Sequence, residues 1–218
     1  MTSQRDLLDT LARVARALGN GHRLALLERL AQGEAAVETL AGTAELGIGN
    51  ASQHLQQLRR AGLVTARRSG KQMIYRLTDE RIVTLTSLLR QVAETNLAEM
   101  ERLVGQWFAE DDADGAMKAV TRDELRAGLA SGEMVLLDVR PEEEFEAGHL
   151  PEAINIPLTQ LEEMLDSLPR DREIVAYCRG PYCALSHEAV QHLRQFGYRV
   201  RRFEEGYPEW KAAGLPVA

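Results

Sequence analysis

The spacing of apolar residues changes character once along this chain, and the change divides it in two. Up to Phe108 apolar positions recur at helical intervals: Leu7, Leu11, Val14 and Leu18, then Leu24, Leu27 and Leu30. Beyond it, MVLLDV (134–139) and EIVAYC (173–178) are short continuous apolar runs alternating with helical segments. That is the pattern of strands buried in a parallel sheet. The 218 residues suit two domains of about a hundred each. The expected architecture is a mostly α N-terminal domain (1–108), a linker (109–117) and an α/β domain with a parallel sheet (118–218). The linker reading rests on AEDDADGAMK, which is acidic and contains small residues.

Within the first part, Gly19–Asn20–Gly21 and Gly33 close two helices, and a short third helix is expected over 36–44. Gly47 and Gly49 mark a turn before a fourth helix over 50–61, which Gly62 ends. Ser69–Gly70–Lys71, between LVTARR and QMIYRL, predicts a β-hairpin. From Thr78 one helix of about 30 residues, about 45 Å long, is expected through Leu85, Leu89, Val92, Leu103 and Trp107 to Phe108. So long and apolar a helix needs a partner, expected to be a second copy of itself together with the first helix. In the second part, Thr121 and Glu124 have capping-box spacing at the head of a helix.

Net charge is −7, but residues 1–110 carry 14 Lys and Arg against 12 Asp and Glu, whereas residues 111–218 carry 12 against 21. Between Glu45 and Asp79 no acidic residue occurs, while Arg59, Arg60, Arg67, Arg68, Lys71 and Arg76 do. A basic window in an acidic protein points to a polyanion partner for that window. MTSQRDLLDT is polar, unlike a signal peptide, and no apolar stretch approaches membrane-spanning length, so a cytoplasmic protein without membrane association is expected. The only cysteines, Cys178 and Cys183, are too few for a disulfide framework and suit redox, catalytic or ligand chemistry.

Helix, glycine turn, helix and basic hairpin form a winged helix-turn-helix pattern. In the fourth helix Leu55 and Leu58 face the core, while Asn50, Ser52, Gln53, His54 and Gln57 offer polar groups to base edges, with Arg60 at its end. Arg67, Arg68 and Lys71 on the hairpin reach flanking phosphates, which fix register without reading sequence. The run NASQHLQQLRRAGLVTARRSGKQMIYRL resembles the recognition helix and wing of the ArsR-type repressors, over roughly residues 5–108. The resemblance implies a homodimer on a double-stranded operator, released by an inducer. Many members sense metals through cysteines near the third helix or Asp/His/Glu clusters on the last. Here GEAAVETLAG lacks cysteine and residues 81–108 lack histidine, so no metal is expected and no sensor lies in this half. His22 and His54 carry no ligand-spaced companions.

In the second half, Tyr177–Cys178–Arg179 ends an apolar strand, and Gly180–Pro181–Tyr182–Cys183 leads into a helix from Ala184. Such a loop turns backbone N–H groups and the positive end of the helix dipole towards one centre, favouring the thiolate of Cys178. Asp138–Val–Arg140, Glu144–Phe–Glu–Ala–Gly148–His149, Ala153–Ile–Asn–Ile–Pro157, Gly206–Tyr–Pro–Glu–Trp210 and Gly214–Leu–Pro216 resemble the signatures of rhodanese domains over 118–218. Glu152 departs from the family, which often has glycine there. The resemblance implies sulfane-sulfur transfer through a Cys178 persulfide, with the loop from Arg179 through Gly180, Pro181, Tyr182, Cys183 and Ala184 holding a small sulfur anion (thiosulfate, polysulfide or persulfide). It calls for no cofactor. Arg179 adds charge at the mouth, with Arg140 a weaker candidate, and Asp138 and His149 read as fold-stabilising. His187 and His192 are expected to be solvent-exposed. Phosphatases and arsenate reductases of related fold need Cys-x5-Arg, and here that position is Ala184. Cys183 reads either as a bystander or as a resolving thiol.

The leading expectation is a repressor whose second domain takes up sulfane sulfur and senses reactive sulfur species. The alternatives are a thiosulfate or polysulfide sulfurtransferase carrying an autoregulatory DNA-binding module, and a DNA-binding protein whose rhodanese-like domain only docks a partner.

Overall fold

The computed structural model describes residues 2–108 and 119–218, so the expected linker lies outside the described residues. The chain divides into two compact units, Met1–Leu88 and Leu89–Ala218. In the first, α1 (Gln4–Leu18), α2 (Gly21–Ala31), α3 (Val37–Thr43) and α4 (Ile48–Arg60) surround a small antiparallel sheet. Its strands β1 (Ala35–Ala36), β2 (Val64–Ser69) and β3 (Gln72–Leu77) lie in the order β1-β3-β2. Ser3 caps α1 in a full capping box with Asp6, and Asn20 accepts from the Arg23 amide to start α2. Leu26, Leu40, Ala51, Leu55 and Leu58 are fully buried together, which fixes the outer face of α4. The expected hairpin forms, with Ser69 inside β2 and opposite Gln72. Gly49 lies inside α4 rather than before it, and β1 was not expected.

The long helix is not continuous. α5 (Arg81–Asn96) stops, Leu97 adopts extended dihedrals, and α6 (Ala98–Trp107) restarts. Asn96 turns its side-chain amide onto the Val92 carbonyl at 2.9 Å. Such local bonding by Asn competes with helix propagation. Ile82, in the first turn of α5, belongs to the first unit's core.

In the second unit, β4 (Met134–Asp138), β5 (Ile154–Asn155), β6 (Glu173–Tyr177) and β7 (Val200–Arg202) form a parallel sheet in the order β5-β4-β6-β7. α7 (Arg122–Ser131), α8 (Glu142–Glu146), α9 (Ala184–Gln195) and α10 (Tyr207–Ala212) complete it. Thr121 caps α7 by accepting from the Glu124 amide at 3.3 Å. Successive side chains of β6 enter opposite clusters: Ile174, Ala176 and then Cys178 join Leu193 of α9, while Val175 and Tyr177 join Phe203 and Trp210. Both faces are therefore apolar, which is why the strand reads as an unbroken run. The same parity sends Cys178 towards α9.

Candidate nucleic-acid interface and active site

On α4, Asn50, Gln53, Gln56, Gln57, Arg59 and Arg60 are exposed, and Ser52 and His54 are half-buried. Two of the expected DNA contacts also engage side chains of the domain itself. The side chain of Arg23, buried at the junction of α1, α2 and α4, donates to the Arg16 carbonyl at 2.9 Å and the Ala17 carbonyl, and to the Gln57 side-chain oxygen at 2.7 Å. It thereby neutralises the C-terminal end of α1 and anchors α4. His54 packs against the His22 ring at 5.7 Å, with its Nδ1 buried and unpartnered. Burial, then the charge of Arg23 and His22, lower its pKa, so neutral imidazole is favoured. Gln56 and Arg59 share the exposed face; Gln56 was not singled out and Arg59 only as part of the basic window, because helical spacing alone does not rank neighbouring polar positions.

On the hairpin, Arg68, Lys71 and Arg76 are exposed, and Arg67 is ion-paired to Glu34. Arg13, Arg16 and Arg60 line a cleft of about 300 Å³ between α1 and α4, so positive charge extends beyond the wing.

The second site is the loop from β6 to α9. Cys178 and Cys183 are joined as a disulfide, with Cα atoms 6.3 Å apart. Cys178 is 1% exposed, and Cys183 occupies the N-cap of the twelve-residue α9. The Cys183 amide donates to the Gly180 carbonyl at 3.2 Å, tightening the loop. Beneath it, the Tyr207 amide donates to the Cys178 carbonyl at 3.2 Å. At Gly148, φ is +145° and a Cβ would meet the Tyr207 ring, so this signature glycine lets α10 seat under the loop.

The loop's cations are already engaged. Arg179 makes a bidentate pair with Glu144 of α8, at 2.6 to 3.1 Å, so its charge is matched at the mouth. Arg202 donates to the Pro181 carbonyl at 2.9 Å. Tyr182 hydrogen-bonds the Glu94 carboxylate, and its ring lies 5.8 Å from the Arg90 guanidinium. The loop residues Gly180 and Pro181 are buried, Tyr182 and Cys183 half-buried and Ala184 exposed.

Arg140 is 1% exposed and does not reach the mouth. It pairs with buried Asp138 at 2.6 to 3.1 Å, donates to the Gly148 carbonyl at 2.9 Å and lies over the Tyr207 ring. Such a pair, matched and hydrogen-bonded, fits a role in holding the fold. His149 stacks on Phe145, and its backbone pairs with Ala218. His187 and His192 are half-buried rather than exposed, against Phe108 and Phe196. Among the described residues no group of three His, Cys, Asp or Glu could hold a metal, and no helix is long and apolar enough to cross a membrane. Glu94 and Arg90 were not foreseen, and Glu144 and Gly206 were read only as parts of the rhodanese signatures, since each acts by proximity that sequence spacing does not encode.

Residues 18–67 match the helix-turn-helix domain family, and residues 121–213 the rhodanese-like domain family. The chain is 46% identical over 212 residues to the HTH-type transcriptional regulator Rv0324 of Mycobacterium tuberculosis, covering 97% of this chain and 91% of that protein. The chain is an ArsR-type winged helix-turn-helix regulator with a C-terminal rhodanese domain. The second half of this regulator is also 36% identical over 106 residues to the human thiosulfate:glutathione sulfurtransferase, covering 42% of this chain and 90% of that one. Its first half is similar to a homodimeric winged helix-turn-helix DNA-binding domain from Mycobacterium bovis, at 44% identity and a TM-score of 0.41, covering 45% of this chain and 94% of that one.

Proposed function

We propose that this regulator is a cytoplasmic repressor that binds its operator as a homodimer and changes DNA affinity when sulfane sulfur is loaded on Cys178. The reading divides the chain into a DNA-binding domain (1–108), a linker (109–117) and a sulfur-handling domain (118–218). Gln53, Asn50 and Ser52 are its base-reading group, with Arg60, Arg68 and Lys71 on phosphates. Self-association is favoured by the exposed leucines of α1 (Leu7, Leu8, Leu11) and of α5 (Leu85, Leu88, Leu89), which need a partner.

The carrying observation is that the chain's two thiols meet across one short loop, at a Cα separation a disulfide bridges. The Cys178 thiolate attacks a sulfane sulfur of a hydrogen polysulfide, forming Cys178–S–SH and releasing the polysulfide one sulfur shorter. The Cys183 thiolate then attacks Cys178 Sγ, expels hydrosulfide and leaves the disulfide. If Cys178 carries two added sulfurs, attack on the inner one expels hydrosulfide and leaves a trisulfide. No external oxidant is required, because the polysulfide is the oxidant.

The test is an operator titration of the full chain, reduced and polysulfide-treated, beside Cys178→Ser and Cys183→Ser. Treatment should change wild-type affinity at least several-fold, within the usual range of allosteric coupling. Mass spectrometry should show a Cys178–Cys183 link with added sulfur. An equal change in both variants would remove the loop from the signal. Steady thiosulfate turnover through Cys178 with no effect on DNA would favour the sulfurtransferase reading.

A further inference from the structure

Tyr182 is the one aromatic residue between the two cysteines, and it is joined directly to Cys183. Its phenol donates to the Glu94 carboxylate, and its ring faces Arg90. Burial, then Glu94 itself, raise the phenol's pKa above the ordinary value, so it stays a donor. Glu94 and Arg90 are one turn apart on α5 and paired at 3.0 Å. Both are less than a third exposed, unlike the pair between Arg5 and Asp9 on α1. The receptor for the phenol is thus fixed before Tyr182 arrives.

The other end of the loop is held independently. Arg179 is clamped by Glu144, the Pro181 carbonyl by Arg202, and Gly180 by the close approach of Gly206. The Cys183 end keeps one backbone bond to this clamped segment, its amide on the Gly180 carbonyl at 3.2 Å, and a change in bridge length falls on that bond and on Tyr182 beside it. One added sulfur adds an S–S bond of about 2 Å to the bridge's contour and, because the three sulfurs are bent, about 1.2 Å to the span between the two Sγ atoms. A hydrogen bond spans only about 2.7 to 3.2 Å and weakens steeply outside good geometry, so the phenol cannot keep its partner through such a shift.

We propose that Tyr182, docked on Glu94 and Arg90, is the positioning residue through which the sulfur state of the Cys178–Cys183 bridge is passed to α5. α5 is the helix whose first turn places Ile82 in the core of the DNA-binding unit. The bridge without added sulfur keeps Tyr182 docked; the lengthened bridge releases it. This rests on the sulfur-sensing reading above.

The experiment uses full-length Tyr182→Phe and Glu94→Gln beside wild type, each reduced and polysulfide-treated. Tyr182→Phe keeps the ring and loses the donor; Glu94→Gln keeps an acceptor and loses the charge. Two quantities are read on each sample: the Cys178–Cys183 sulfur link by mass spectrometry, and operator affinity. The link should form as in wild type, and reduced Tyr182→Phe should bind operator with wild-type salt dependence. The several-fold change on treatment should fall to within twofold of no change in Tyr182→Phe and be at least halved in Glu94→Gln. A full response in both variants overturns the proposal while leaving sulfur sensing intact. Absence of link or response in wild type overturns sensing and this relay together. Should Tyr182→Phe fold poorly, Glu94→Gln decides beside Arg90→Gln, which breaks the same α5 ion pair but leaves the phenol its carboxylate acceptor: a loss of response in Glu94→Gln alone assigns it to Tyr182, and an equal loss in both overturns the proposal.

Discussion

Gly206 presses its bare Cα onto the peptide between Arg179 and Gly180: a Cβ there would lie 2.6 Å from the Arg179 carbonyl carbon and 2.7 Å from Gly180 Cα. Those atoms are backbone of the thiol loop and cannot swing aside as a side chain would. Gly206→Ala should therefore displace the loop, cost about 1–3 kcal/mol of stability and slow Cys178 alkylation in the reduced protein. Urea unfolding and iodoacetamide kinetics check both parts. Wild-type values in each would show that the loop has slack here.

Gln53 and Gln57 separate in role, although both are glutamines one helical turn apart. Gln57 supplies an acceptor to the buried Arg23, so Gln57→Ala should lower stability by about 1–3 kcal/mol through the donor it strands. Gln53 is exposed, and Gln53→Ala should leave stability unchanged while altering base preference in a randomised-operator selection. Unchanged preference would move the reading role to its exposed neighbour Gln56.

On the wing, Glu34 shields Arg67, and among the described residues nothing acidic is paired with Arg68, whose Nε meets the Gly70 carbonyl. Arg68→Ala should weaken binding on all duplexes alike and reduce the salt slope by about 1.8, one phosphate contact from each protomer of the homodimer. Glu34→Ala should do the reverse for affinity, since it unshields Arg67. Loss of affinity in Glu34→Ala would mean that the pair positions the wing instead.

How much of this was legible in the sequence follows the range of each interaction. β6, α4 and the hairpin were readable because their signals are periodic and local. Cys178 was readable because strand, loop and helix adjoin it in the chain. The helix break at Leu97 was not, because the competing bond from Asn96 to Val92 leaves the apolar period untouched. Arg140 read as a weaker candidate for charge at the mouth, yet its burial is set by Tyr207 and Gly148, brought over it by the fold. Glu94 and Tyr182, 88 residues apart, carry no shared local signal.

Glu152 stands where rhodanese domains often have glycine, and its φ is +63°, in the left-handed region. A side chain there costs roughly 1–2 kcal/mol, and glycine gives back about 0.5–1 kcal/mol as extra unfolded-chain entropy. Glu152→Gly should stabilise the second domain by about 0.5–1 kcal/mol and leave sulfur transfer untouched. Differential calorimetry resolves that shift, and a lower melting temperature would point to a compensating contact of the carboxylate.

Glu209 closes the same region from α10. Its carboxylate accepts from the Gly206 amide at 3.0 Å. Burial pushes its pKa up from 4.5 to about 7, against the lowering effect of that hydrogen bond. The folded chain then keeps a proton that the unfolded chain has lost between about pH 4.5 and 7. Where the folded state binds more protons, stability falls as pH rises. This group's contribution is therefore fully present below about pH 4.5, declines across that window and is flat above about pH 7. At about 1.4 kcal/mol per unit, the decline is at most about 3 kcal/mol. Glu209→Gln keeps an acceptor for Gly206 and carries no charge, so it should remove the decline and be the more stable protein at pH 8. Urea midpoints of both proteins from pH 4.5 to 8 test this. Parallel curves would mean that Glu209 is ionised throughout, its charge met by Arg90, the cation that also draws its pKa down.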